Sequence, residues 1–480
     1  MARKPTAAAD PSPRARVRMY RHGLGDCILI EFPRPEQDPY RIMIDCGLVL
    51  GASRSDEKMK EVMQHLYDDL IAAAPGVQAI DLLVVTHAHW DHVSGFVQAS
   101  DEFARLAVRD VWMAWTEDTT DPLAIELKKE FALAEAALRR GLQVSQAQFG
   151  MNQVSAQVES LLGFLGESDA TLAAAGKKDK STAGAMRAAA AKAKEGPGTL
   201  KFCKPGEAPV AIPGTQARIF VMGPPRDKER LRKMDPSQRE PETYSITAMA
   251  NLQQIDSAFA GWAGAGSEGS DGSAVGLSEI DEANRPFDAR WTIPWGVAEQ
   301  NDAWFKDHYF AEGQQWRRID GEWARELTNL ALLLDRAVNN SSLVLAIELE
   351  PGGDVILLAA DAQVGNWLSW LDLKWDVAGR QTTGPDLIAR TLAYKVGHHA
   401  SLNATLRANG VEKMSRLAYS LVPVNADEAA SRGWGNNIPF PALLDALTAN
   451  GRATVLRSDR DWKGKDTSIV VERLYFEIEL

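Results

Sequence analysis

Three of the eight histidines in this 480-residue chain, His87, His89 and His92, fall within six positions, with Asp91 beside the last. Imidazole and carboxylate groups at that density are donors for a divalent cation, so metal binding is the chemistry this spacing suggests. In a near-extended loop, side chains two apart point the same way, so His87 and His89 can grip one ion together. Asp91 and His92 would then turn toward a second. Further along, Asp361 closes the apolar run Ile356–Ala360, and a histidine pair, His398 and His399, follows Leu392–Val396, with Lys395 just before it.

Each of these groups stands where a strand is expected to end. Leu82–Val85 is four apolar residues, two of them β-branched, bounded by polar ones, which predicts a buried strand with the histidines on the loop beyond. That strand-loop-helix context favours metal binding over a merely polar surface loop. Val17–Tyr20 and Cys27–Phe32 flank a turn, Arg21–Asp26, that contains two glycines. A third strand, Arg41–Ile44, ends at Asp45-Cys46-Gly47. Ser55–Ala74 has the periodicity of a helix, and Val108–Trp115 reads as another strand.

From Asp121 the pattern changes. Helices are expected over Pro122–Leu142 and Asn152–Leu165, and the Ala/Gly/Lys/Ser composition of 166–198 predicts a mobile segment. Val210–Met222 returns to strand-like sequence, and Arg226–Lys233 is a basic cluster expected on a solvated face. Residues 263–285 are of low complexity. The helical block Val297–Arg336 carries Trp304, Trp316 and Trp323, expected in a core. Strands then resume at 341–348 and 354–360, followed by a helix (Trp367–Trp375) and the strand before His398. The last strands expected are Ala418–Val422, Ala453–Arg457 and Ser468–Val471, with a helix over Pro441–Ala449.

The chain is long enough for one enlarged domain or two. Hydrophobic content of 45% with 25% charged residues is that of a soluble globular protein. No apolar run reaches the length of a membrane span. Met1–Arg16, rich in Ala, Pro and Arg, reads as a flexible tail with no signal-peptide core. Three cysteines, Cys27, Cys46 and Cys203, make no disulfide framework, and a cytoplasmic location is expected. The net charge of −12 argues against a broad nucleic-acid-binding surface. A nuclease holding phosphate through metals and local Lys/Arg stays open.

Taken in order, these elements resemble the metallo-β-lactamase superfamily. His87-Ala88-His89-Trp90-Asp91-His92 is similar to its His-x-His-x-Asp-His signature. Ile356–Ala362 resembles its Leu-Leu-x-Gly-Asp element, and Lys395–Ser401 its Lys-Val-x-His-His-Gly-Ser element, with Ala360 and Ala400 standing where the family has glycine. The opening, Gly23–Ile30 followed by Ile44–Gly47, is similar to the soluble domain of ComEC, a DNA-uptake protein. The C-terminal ComEC-like element is matched only by Gly435–Pro439, without its histidine.

The resemblance implies an αββα sandwich, formed by residues 17–120 and 341–480 and interrupted at 121–340 by a mostly helical insertion with one return strand near 208–222. It also implies two divalent ions, Zn²⁺ or Mn²⁺ (Fe²⁺ suits the same ligands). His87 and His89 would hold the first, Asp91 and His92 the second, and Asp361 would bridge them. One of His398 and His399 would complete the second site or protonate the leaving group. Asp91, Lys395, His398 and His399 are the candidate catalytic groups, and Asp45 would orient the ligand loop. A further family histidine for the first ion is missing: His308 is the only histidine in that interval, and Glu117 or Asp118 could substitute. The implied reaction is hydrolysis by a metal-activated water. Its substrate would be a nucleic-acid phosphodiester, DNA more than RNA, with no membrane partner. The alternatives are a small phosphodiester or lactone, or a partner-regulated module with impaired metal binding. Relatives of this branch can be toxic effectors in bacterial conflict, which would give 166–198 and 263–285 a regulatory protein or protease as partner.

Overall fold

The computed structural model describes residues 13–73, 80–149, 153–166, 180–195, 198–233, 303–311, 313–314, 320–377 and 379–480. The first sheet is built from β1 (Arg16–Tyr20), β2 (Ile28–Arg34), β3 (Gln37–Ile44), β4 (Ile80–Val85), β5 (Val108–Ala114) and β6 (Leu200–Cys203). The second begins with β7 (Val210–Ala211), β8 (Arg218–Gly223), β9 (Val344–Glu348) and β10 (Val355–Leu358). A hairpin of β11 (Lys374–Val377) and β12 (Arg380–Thr383) stands apart from both. The second sheet then takes β13 (Thr391–Lys395), β14 (Tyr419–Val422) and β15 (Thr454–Arg457), while β16 (Ile469–Val471) and β17 (Tyr475–Glu479) rejoin the first. The strand orders are β16-β17-β1-β2-β3-β4-β5-β6 and β15-β14-β13-β10-β9-β8-β7.

The layering follows from the side-chain period of two. Leu82 and Val84 of β4 face the same cluster as Leu345 and Ile347 of β9 and Ile356 and Leu358 of β10, which is the core between the sheets. Leu83 and Val85 point the other way, onto Met59, Val62, Met63, Leu66 and Leu70 of the helix Ser55–Ala73. Behind the second sheet, Val355 and Leu357 meet Trp367 and Trp370 of the helix Val364–Trp370, and Leu387 and Ile388 of Gly384–Ala389. The central strands are covered on both faces, which is why they read as continuous apolar runs. The fold is the αββα sandwich of the metallo-β-lactamase type, with insertions.

Several boundaries differ from expectation. The expected tail yields to structure by Arg16, where β1 begins, and Arg14 and Ala15 already donate backbone hydrogen bonds to Leu480. The rest of the tail, 1–12, lies outside the described residues. Within 166–198, residues Thr182–Lys192 form a helix capped by the Ser181 side chain. Its Ala185, Met186 and Ala189 are buried, so small residues here serve close packing and not mobility. The return at 208–222 is wider than one strand, because β6 joins the first sheet before β7 and β8 join the second. The helix expected over Trp367–Trp375 stops at Trp370. Lys374, Trp375 and Asp376 then alternate exposed, buried, exposed, the period of a strand.

The chain divides into two compact units. One holds residues 1–127, 163–248 and 336–480, and includes both sheets. The other holds 128–162 and 249–335, a smaller excursion than 121–340. In the latter, Trp304 is exposed and stacks on His308, whose Nδ1 donates to the Trp304 carbonyl. Trp304 is therefore not the core residue expected. Trp316, the side chain of Trp323 and segment 263–285 lie outside what is described.

Candidate metal centre

Loops after the carboxyl ends of β3, β4, β10 and β13 bring Asp45, the His87–His92 stretch, Asp361 and His398–His399 to one end of the sandwich. The backbones there are in contact. A Cβ on Gly25 would lie 2.2 Å from the Gly47 carbonyl oxygen and 2.8 Å from that of Asp91, and one on Gly47 2.3 Å from the Asp91 carbonyl carbon. Only glycine permits such an approach.

Asp91, His92, Asp361 and His399 each offer one ligand atom, all within 4.8 Å of one another and all buried. The hydrogen bonds around them leave the inward-facing atoms bare. His92 donates from Nδ1 to Asp45 Oδ2 at 2.8 Å, and its Nε2 lies 3.2 Å from Asp361 Oδ2. His399 donates from Nδ1 to the Pro423 carbonyl at 2.6 Å, directing Nε2 to Asp91 Oδ2 at 2.8 Å. His92 Nε2, Asp91 Oδ1 and Asp361 Oδ2 are buried with no hydrogen-bond partner. Orphaned polar atoms of this kind need a compensating partner, and a divalent cation satisfies imidazole nitrogen and carboxylate oxygen together.

The neighbouring pair is prepared in the same way. Thr86 donates from Oγ1 to Asp45 Oδ2 at 2.6 Å, so its hydroxyl oxygen must accept from His87 Nδ1 at 2.9 Å. That leaves His87 Nε2 as a lone pair, 3.3 Å from His89 Nδ1. Asp45 thus sets the tautomer of His92 directly and of His87 through Thr86. His398 lies to one side. Ser401 donates to Asn403 and so accepts from His398 Nδ1 at 2.9 Å, while Asn339 Nδ2 reaches His398 Nε2 at 3.5 Å. Phe164 lies against both His89 and His398, and stacks on Trp434 at 4.7 Å.

Lys395, buried at the end of β13, pairs with Asp361 Oδ1 at 3.0 Å and Asp26 Oδ2 at 2.5 Å. Asp26 was not singled out in the sequence, although its Gly-Asp-Cys turn was. Asn339 was missed as well, lying in what reads as the end of a helix. Among the described residues a second grouping, Asp26, Asp45 and His92, could also hold an ion. There His92 presents the nitrogen whose proton goes to Asp45, and the Lys395 ammonium already sits on Asp26. We therefore read it as support for the first cluster. Glu117 and Asp118 join neither grouping, and Asp118 accepts from Thr120.

Charge explains the titration of these groups. Burial lowers the His87 pKa well below its ordinary value, with His92 and His89 adding to the effect. Burial also brings His89 to about 3 and His398 to about 4, so their rings are neutral at pH 7. Burial opposes protonation of His92 too, but Asp361, Asp26, Asp91 and Asp45 together outweigh it and raise its pKa. Burial would raise Asp361, yet Lys395 and His92 hold it well below the usual carboxylate range.

The basic cluster is committed elsewhere. Arg226 binds Asp121 through both oxygens, Lys228 pairs with Glu126, and Arg230 pairs with Asp372.

A family model described as the metallo-beta-lactamase superfamily matches residues 21–104, the span that includes Asp26, Asp45 and the His87–His92 stretch. Comparison with curated proteins and with solved structures returned no match. The superfamily is generally one of hydrolytic enzymes that bind divalent metals. Sequence match and sandwich architecture agree, and residues 21–104 are similar to the metallo-beta-lactamase superfamily.

Proposed function

We propose that this protein is a metal-dependent phosphodiesterase cleaving nucleic acid. One observation carries the metal-dependent part: Asp91, His92, Asp361 and His399 converge buried with ligand atoms within 4.8 Å of one another, and His92 Nε2, Asp91 Oδ1 and Asp361 Oδ2 have no hydrogen-bond partner. Buried polar atoms without partners are costly, and a divalent cation would satisfy imidazole nitrogen and carboxylate oxygen together. Such ions supply an acidified water and positive charge against a developing oxyanion.

The chain's own groups then divide the work. Asp91, His92, Asp361 and His399 would hold one ion, and His87 and His89 would contribute to a second. His398, hydrogen-bonded to Ser401 beside the cluster, would be free of metal duty to protonate the leaving group. The absence of thiolate from the candidate ligands suits Zn²⁺ or Mn²⁺. Support for a nucleic-acid substrate comes from the ComEC-like opening, Gly23–Ile30 followed by Ile44–Gly47. A second reading, hydrolysis of a small phosphodiester, is favoured by the internal pairing of Arg226, Lys228 and Arg230 and by the net charge of −12.

The test is hydrolysis of plasmid DNA, single-stranded DNA and bis(p-nitrophenyl) phosphate with Zn²⁺ or Mn²⁺. It compares wild type with Asp91→Ala, Asp361→Ala, His399→Ala and His398→Ala. The first three are expected to lose bound metal and activity together, and His398→Ala to lose activity while retaining metal. Activity surviving both aspartate substitutions would exclude the assignment. Cleavage of the small ester alone would favour the second reading.

A further inference from the structure

Asp26 is linked to every member of the four-residue cluster, directly or through Lys395. Its backbone N–H donates to the Asp91 carbonyl at 3.0 Å. Its carboxylate lies 3.7 Å from His92 Nδ1 and 3.7 Å from His399 Nδ1, nitrogens already committed to Asp45 and to the Pro423 carbonyl. It reaches Asp361 through Lys395, whose Nζ is 2.5 Å from Asp26 Oδ2 and 3.0 Å from Asp361 Oδ1. The ammonium also donates to the Ala360 carbonyl at 2.9 Å, which fixes it at the base of the Asp361 loop.

This arrangement leaves Asp361 one oxygen for a ligand role. Oδ1 accepts from Lys395 and from the His398 backbone N–H, while Oδ2 has no hydrogen-bond partner. A fixed cation so close to a metal ligand would weaken that ligand and repel the ion unless its charge were offset. Asp26 provides the offset. Resting on the metal-centre reading above, we propose that Asp26 is a positioning residue for the ion. Its carboxylate holds and neutralises Lys395, so that the lysine orients Asp361 without competing for it.

The backbone contact to Asp91 does not depend on the side chain, so Asp26→Asn separates the two roles. Wild type, Asp26→Asn and the double variant Asp26→Asn/Lys395→Met are stripped of metal, checked by thermal melting, and titrated with Zn²⁺ or Mn²⁺ by calorimetry. Groups that orient metal ligands typically contribute about 10–100-fold in affinity. We expect a loss of that size in Asp26→Asn. Removing the lysine charge as well should recover at least about threefold over Asp26→Asn, a rescue that a purely structural role would not show. Affinity of Asp26→Asn within about threefold of wild type overturns the proposal, as does a double variant that binds as weakly as the single. If Asp26→Asn does not fold, Asp26→Ser is compared with wild type and with its own Lys395→Met double variant on the same limits. A wild type that takes up no metal overturns the metal-centre reading itself. Equal uptake by wild type and Asp26→Asn overturns only the role of Asp26.

Discussion

The 2.8 Å hydrogen bond from His92 Nδ1 to Asp45 Oδ2 decides which imidazole nitrogen faces Asp91 and Asp361. Asp45 has φ 54°, a left-handed conformation that asparagine adopts at least as readily. Asp45→Asn therefore changes the hydrogen bonding without adding backbone strain. The amide NH₂ would oppose the His92 Nδ1 proton and drive it to Nε2, the atom needed as a lone pair. The expected result is a metal affinity lower by about 10–100-fold, with the His92 tautomer shifted in ¹⁵N NMR spectra. Wild-type affinity in this variant would show that Asp45 does not set the tautomer.

Ala360 and Ala400, the two positions where the family has glycine, adopt φ 48° and 64°. Left-handed backbone costs a non-glycine residue about 1–2 kcal/mol, partly offset by the greater freedom glycine loses on folding. Both methyl groups are buried, so their packing also counts. Ala360→Gly and Ala400→Gly should each stabilise the protein by up to about 1 kcal/mol in urea unfolding. A destabilisation of about 1 kcal/mol or more would mean that methyl packing outweighs strain.

Asp121 should give stability an acid limb. The Arg226 hydrogen bonds, and then the backbone N–H groups of Ala124 and Leu123, hold its pKa down to about 2, against an ordinary value of about 3.9. A depressed folded-state pKa contributes stability that is full above the unfolded value and lost as pH falls through the folded one. The contribution should therefore fade between about pH 4 and pH 2, and with Arg226 partly exposed it is on the order of 1 kcal/mol. Arg226→Gln should lower stability at pH 6 by that amount and flatten the decline. An unchanged acid limb in unfolding curves at pH 6 and pH 3 would argue against it.

The sequence by itself determined the local pieces. Apolar runs bounded by polar residues located β4, β10 and β13, because a strand buried on both faces has no other composition available. The spacing of His87, His89, Asp91 and His92 on the loop after β4 marked the metal chemistry, since ligand type and proximity are one-dimensional signals. Only the tertiary structure separates the surroundings of His398 and His399. Both are buried at the same strand end, and what separates them is the Pro423 carbonyl on one ring and Ser401 on the other, contacts made across 24 and 3 residues of chain. Asp26 was hidden for the same reason. A turn aspartate between glycine and cysteine looks ordinary until the fold sets Lys395 against it, and electrostatic partnership depends on distance in space, which spacing along a chain does not encode.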